Sequence, residues 1–91
     1  MNEDAMIALG DDAEALLTSK HFNNVINALV ESTFQTFVNT SPEDMPSRER
    51  CYASYRAFVD VTNTLRQQVS VRDEINAKNE EANTGNNNQE D

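Results

Sequence analysis

The chain has 91 residues, an apolar fraction of 37% and a net charge of −9. This length allows one domain at most, and the low apolar fraction predicts a small core. The two glycines and two prolines disfavour a turn-rich β fold, and a single cysteine, Cys51, excludes an internal disulfide scaffold. No apolar run approaches the roughly 18 residues of a membrane span, so a cytoplasmic location is expected.

The excess negative charge lies at the two ends of the chain. Residues 1–14 carry five acids and no bases, residues 79–91 carry four acids and no bases, and residues 15–78 carry seven of each. Acidic ends of this kind usually keep a protein soluble. Because the body is neutral, the pattern argues against an inhibitor that mimics DNA with acids on its folded surface.

The first predicted helix is short. Residues 1–10 are expected to form a flexible acidic N-terminus, since Gly10 interrupts a weak apolar pattern. Asp11 followed by Glu14 resembles a capping box, in which the acids accept hydrogen bonds from free amide groups at a helix start. This spacing predicts a helix over 11–18.

A second helix is predicted over 19–39, with Thr18 or Ser19 as its N-cap. Its apolar residues fall at helical steps on one face, as is typical of an amphipathic helix; they are Phe22, Ile26, Leu29, Val30, Phe34, Phe37 and Val38. Pro42 and Pro46 then interrupt the chain. A connection this short makes the flanking helices antiparallel neighbours.

The third and longest helix is predicted over 47–78. Its apolar stripe has steps of three and four, close to a heptad seam; it comprises Cys51, Tyr55, Phe58, Thr62, Leu65 and Val69. Phe58 is expected to be a core residue, and Tyr52 lies one residue off the stripe. The apolar content disappears after Lys78, which predicts a disordered acidic tail over 79–91.

These elements together predict an all-α fold: an antiparallel helical hairpin with a short extra N-terminal helix, forming one domain over 11–78. By length alone, a helix of about 45 Å over 47–78 extends beyond its partner of about 30 Å. The surface left uncovered is the expected partner-binding site; its residues are Val61, Leu65, Val69, Val71 and Ile75.

No catalytic group of residues is apparent. The only histidine, His21, and the only cysteine, Cys51, lie at opposite ends of the predicted hairpin, so they do not form a nucleophile–base pair. The acids occur at helix starts rather than in metal-ligand clusters, and no phosphate-binding glycine loop is present. We therefore expect no enzyme activity, no cofactor and no metal.

Nucleic-acid binding is also disfavoured, although the long helix carries five arginines. Four acids are interleaved with them, so no continuous basic face forms; the arginines are Arg48, Arg50, Arg56, Arg66 and Arg72, and the acids are Glu49, Asp60, Asp73 and Glu74. A solvated surface of mixed charge is the simpler interpretation.

The stretch from Leu16 to Val69 resembles the short helical-hairpin proteins encoded among the head and packaging genes of tailed bacteriophages. The resemblance is carried by a Leu pair, a Phe, an acidic Thr-x-Pro segment, an Arg-Glu pair and a final Leu; here these are Leu16-Leu17, Phe22, Thr40-Ser41-Pro42-Glu43-Asp44, Arg48-Glu49 and Leu65. It implies a phage context rather than a mechanism.

The expected function is that of a non-enzymatic phage virion assembly or adaptor protein that acts through helix-mediated protein–protein contacts. Its partner would be a phage structural or packaging component, or a second copy of itself, in the host cytoplasm during assembly or in the virion. One alternative is a small inhibitor that binds a host enzyme through its acidic ends. A further alternative is a DNA-packaging component like a small terminase.

Overall fold

The computed structural model describes the backbone of residues 2–90 and the side chains of residues 2–83. It contains three helices: α1 (Glu3–Leu17), α2 (Lys20–Val38) and α3 (Met45–Glu90). Within the described backbone there is no strand. The all-α class predicted from the sequence is therefore confirmed.

Helix α1 begins eight residues before the predicted start at Asp11. Asn2 is its N-cap, and the Asn2 side-chain oxygen accepts a hydrogen bond from the backbone N–H of Ala5 at 2.8 Å. Glu3 and Asp4 occupy the first turn, where the helix dipole favours negative charge. Residues 3–10, which the sequence assigns to a flexible segment, thus form the first half of this helix, and Gly10 lies inside it.

The junction between α1 and α2 is only two residues long. Thr18 caps the C-terminus of α1, and the Ser19 hydroxyl accepts from the N–H of Phe22 at 3.2 Å as the N-cap of α2. The side-chain amide of Asn23 donates to the Leu17 carbonyl oxygen at 2.8 Å. Local capping hydrogen bonds therefore fix this boundary, and α2 lies within one residue of its predicted limits at both ends.

The start of α3 is set by Asp44. Its carboxylate accepts from the N–H of Ser47 at 3.2 Å, and its own N–H donates to the Ser41 carbonyl oxygen at 3.0 Å. The helix then begins at Met45 rather than Ser47. Pro46 fits inside the first turn, because the N–H that proline lacks would have no partner in the helix there.

Helix α3 continues to Glu90 as one element of 46 residues. At about 1.5 Å per residue it spans roughly 69 Å, which accounts for the longest dimension of the molecule, 72 Å. The predicted disorder of 79–91 is therefore not confirmed: residues 79–83 are helical with exposed side chains. Asp91 and the side chains beyond residue 83 lie outside the described part.

Both shorter helices pack on α3, at different places. Phe37 of α2 lies beside Arg48, and Phe34 lies beside Tyr52 and Tyr55, so α2 and the first part of α3 run in opposite directions here. Further along α3, α1 packs more extensively than α2 does. The structure therefore differs from a two-helix hairpin with a minor third helix at one end, because α1 is a principal packing element.

Candidate functional site

Helices α1 and α3 are in close contact at Gly10. A Cβ atom built there would collide with the Cβ of Arg72 and would lie 2.9 Å from the carbonyl oxygen of Gln68. Only glycine lets the two helix backbones come this close without displacing one of them. Met6 and Leu9 lie with Thr64, Gln67 and Val71 around a shallow hollow, whereas Asp11 and Glu14 reach Arg72, so α1 and α3 run in the same direction.

Arg72 binds α1 to α3 through its guanidinium. Its Nη1 donates to Asp11 at 2.9 Å and to Glu14 at 2.8 Å, and its Nε and Nη2 donate to Asp73 at 3.1 and 3.0 Å. Arg72 is 8% exposed, whereas the three carboxylates remain largely in solvent. The hydrogen bonds to Glu14, Asp73 and Asp11 raise the pKa of Arg72 and so favour its charged form.

The sequence analysis did not identify this cluster. It assigned Asp11 and Glu14 to a helix cap, Gly10 to a helix interruption and Arg72 to a mixed surface. The one available signal was the position of Glu14, four residues after Gly10 and three after Asp11, since residues three and four apart are neighbours on a helix surface. What the sequence could not indicate was that Arg72 is their partner.

A second feature is an open apolar hollow between α2 and the start of α3, with a volume of about 260 Å³. Four aromatic side chains line it, and we call them the aromatic patch: Phe34, Phe37, Tyr52 and Tyr55. Thr33 and Cys51 complete the lining. Phe34 is 51% exposed and Tyr52 is 60% exposed, so the patch faces solvent instead of closing into a core.

The patch is exposed because α2 has more apolar surface than α3 covers. At about 100° per residue, Val25 and Leu29 lie on one side of the stripe that faces α3, and Phe34 and Val38 lie on the other. All four are exposed. The stripe itself, comprising Phe22, Ile26, Val30, Thr33 and Phe37, is half-buried.

The partner-binding residues predicted from the sequence have different environments. Val61 is exposed, whereas Leu65, Val69, Val71 and Ile75 are half-buried. Val71 lies beside Met6 and Leu9. This part of the predicted surface is therefore partly covered by the N-terminal half of α1, a segment that the sequence analysis did not expect to be helical.

All five arginines of α3 are engaged by groups of the same chain, since Arg50 donates to the Ser47 hydroxyl at 3.1 Å and Arg66 donates to the Asn63 side-chain oxygen at 3.3 Å. Arg72 holds three carboxylates, Arg56 pairs with Asp60 at 3.1 Å, and the guanidinium of Arg48 lies 4.5 Å from the centre of the Phe37 ring. Arg48 also donates to the Thr40 hydroxyl at 3.4 Å. These contacts leave fewer cations available for a phosphate backbone.

His21 and Cys51 are far apart. Cys51 lies beside Phe34 and Phe37, and His21 precedes Phe37 by 16 residues, or about 24 Å along α2. Among the described side chains, no group of three His, Cys, Asp or Glu is arranged to hold a metal ion. No described helix combines the length and hydropathy needed to cross a bilayer.

Comparisons with known proteins identify no relative of this chain. No protein-family model matches the chain, and neither the search of curated proteins nor the search of solved structures returns a match.

Proposed function

We propose that this protein is a non-enzymatic assembly or adaptor protein that acts through helix-mediated contacts with another protein surface. The observation that carries the proposal is the aromatic patch, whose rings are exposed at the open side of the α2–α3 pair. Contiguous exposed aromatic surface is costly to leave in water. Where a folded protein has such a surface, it usually marks an interaction site. The antiparallel pairing of α2 with the start of α3 is the framework that presents it.

The burial of the chain supports the same proposal. Of the described hydrophobic side chains, only Ala13 is fully buried, at 2% exposure. The accessible surface is 6793 Å², against about 5,300 Å² expected for a compact monomer of this mass. Apolar side chains on α2 and α3 contribute to this exposed surface, among them Val25, Phe34 and Val61. A protein with so small a core gains stability when a partner covers these faces.

The experiment is site-specific photo-crosslinking in the cells that make the protein. A photoreactive amino acid replaces Tyr52 in the patch. The control replaces Gln35, which is exposed and hydrogen bonds only to Glu31 of its own helix. The proposal predicts a discrete crosslinked product from position 52 and none from position 35. Equal, diffuse or absent products at both positions would contradict it.

The phage setting rests on the resemblance described above. It predicts that the protein copurifies with tailed-phage heads or with the packaging complex of infected cells. Its absence from every phage assembly intermediate would contradict the phage context. The proposed interaction surface could then still bind a protein of another kind.

The alternative of an acidic inhibitor of a host enzyme draws support from the charge distribution. Residues 1–17 carry five acids and no base, and 70–91 carry six acids and two bases. Because α1 packs against α3 near Thr64 to Arg72, the acids of α1 add to the negative charge of the later part of α3. This alternative predicts that Glu80→Gln with Glu81→Gln weakens binding to the enzyme, whereas changes in the aromatic patch do not.

A further inference from the structure

The aromatic patch lies in a part of the chain whose net charge is zero. Residues 18–69, which contain α2 and the first part of α3, carry five acids and five bases, so their net charge is zero. The whole formal charge of −9 belongs to residues 1–17 and 70–91. Apolar and electroneutral surface therefore coincide on α2 and the start of α3, and strong negative charge lies on α1 and the later part of α3.

We infer that the occupant of the aromatic patch is a second copy of this chain, bound patch to patch about a two-fold axis with the two α3 helices antiparallel. This inference rests on the proposed function and names its partner. Two α2–α3 pairs joined in this way form a four-helix arrangement, which is a common way to bury apolar stripes of helical hairpins.

Electrostatics decides the orientation of the two copies. In a parallel dimer the acidic halves would lie side by side, and like charges would repel across the interface. In the antiparallel dimer, the neutral halves overlap and the acidic halves point away from each other. At physiological salt the charges then lie well beyond the Debye length of about 8 Å.

The chemistry of the patch suits a copy of itself. The patch offers aromatic rings, with the Tyr52 and Tyr55 hydroxyls available for hydrogen bonds at its edge. A two-fold interface brings each ring against the same set of rings, which pair favourably in offset or edge-to-face geometry.

The test is sedimentation equilibrium of the full chain from about 1 to 100 μM. Tyr52→Glu places a carboxylate in the patch at a position that is already 60% exposed. Gln35→Glu adds the same charge on α2 away from the patch. The inference predicts a dimer for the wild type and for Gln35→Glu. Tyr52→Glu should be monomeric, with the helical circular dichroism signal retained.

The orientation is tested with one spin label on each copy. In a Cys51→Ser background, Arg66→Cys provides a single labelling site, since Cys51 is the only native cysteine. Position 66 follows position 52 by 14 residues. At about 1.5 Å per residue, the antiparallel dimer separates the two labels by roughly 42 Å along the axis, whereas a parallel dimer holds them within about 30 Å. Dimer affinity should change less than about twofold between 0.02 and 0.5 M salt, because the acidic halves do not meet.

The outcomes separate this inference from the proposed function. A wild-type monomer up to 100 μM, a dimer unaffected by Tyr52→Glu, or a label distance below 30 Å would each overturn the inference. If a photoreactive residue at position 52 then crosslinks to a different protein, the proposed function remains and only the identity of the partner changes. If the wild type is monomeric and position 52 gives no product, both fail.

Discussion

Nη1 of Arg72 lies 2.8 Å from Oε2 of Glu14, across 58 residues of sequence. The same nitrogen also holds Asp11, so one buried cation fixes the register of α1 on α3. The two carboxylates are more than half exposed. Their attraction to Arg72 is therefore partly screened by water, and the contact specifies where α1 docks more than it adds stability.

Replacing Arg72 by Met should release α1. Met keeps an apolar stem of similar length but cannot bind the carboxylates of α1. We expect hydrogen exchange of residues 3–17 to accelerate at least about tenfold, while exchange in residues 45–60 stays unchanged. The matched control is Arg66→Met, since Arg66 is exposed and hydrogen bonds only to Asn63 of its own helix. Unchanged exchange in α1 would show that Gly10 packing alone holds the helix.

Replacing Gly10 by Ala should destabilise the protein, although Ala has the higher helix propensity. In an exposed helix this change stabilises by about 1 kcal/mol. Here the new methyl group would meet the Arg72 side chain and the Gln68 carbonyl, and overpacking of this kind costs about 1–3 kcal/mol. Urea unfolding should show a lower midpoint, and Ala15→Gly at an exposed site measures the propensity effect in the same helix. A raised midpoint for Gly10→Ala would mean that the helices are not in close contact.

Phe58→Ala should reduce stability by about 2 kcal/mol. A fully buried Phe would cost about 3–5 kcal/mol, the range that its predicted place in the core implies. Phe58 is half-buried, so less apolar surface is lost. Urea unfolding at one fixed protein concentration measures the change, with Val25→Ala at an exposed site of α2 as the control. Equal effects of the two substitutions would place Phe58 outside the core.

Asp44 should make the start of α3 sensitive to acid. The hydrogen bonds that its carboxylate accepts from Ser47 lower the pKa of Asp44 below its ordinary 3.8. A lowered pKa means that the cap stabilises the fold fully above about pH 4, and that this stabilisation is lost as the pH falls through the lowered value. Asp44→Asn keeps a capping oxygen but cannot titrate. Below pH 4 the thermal midpoint of the wild type should fall more steeply than that of Asp44→Asn, and parallel curves would contradict this role.

Removal of residues 79–91 should leave the folded unit intact. The side chains of 79–83 are exposed along α3, so their removal costs no packing. A chain ending at Lys78 should keep its thermal midpoint within about 2 °C. A decrease near 10 °C would show that the C-terminal segment contributes packing to the fold.

The limits of α2 followed from the sequence, whereas the start of α1 and the end of α3 did not. Ser19 and the limits of α2 were predicted to within one residue, because capping hydrogen bonds and a regular apolar stripe act between neighbours in the chain. The all-α class followed from the same periodicities and from the scarcity of Gly and Pro. Tyr52, one residue off the α3 stripe, is exposed as its position indicated.

Only the tertiary structure decided what Gly10, Arg72 and Phe34 do. A glycine in the sequence can mean either that a helix is interrupted or that two helices pack closely. At Gly10 only the proximity of Gln68 and Arg72 shows that the second meaning applies. Phe34 belongs to a helical apolar face, yet a neighbouring helix covers one stripe of that face and leaves its sides in solvent. Periodicity reports which residues share a face, but burial depends on which distant segment arrives there, and contacts across some 60 residues leave no regular spacing in the sequence.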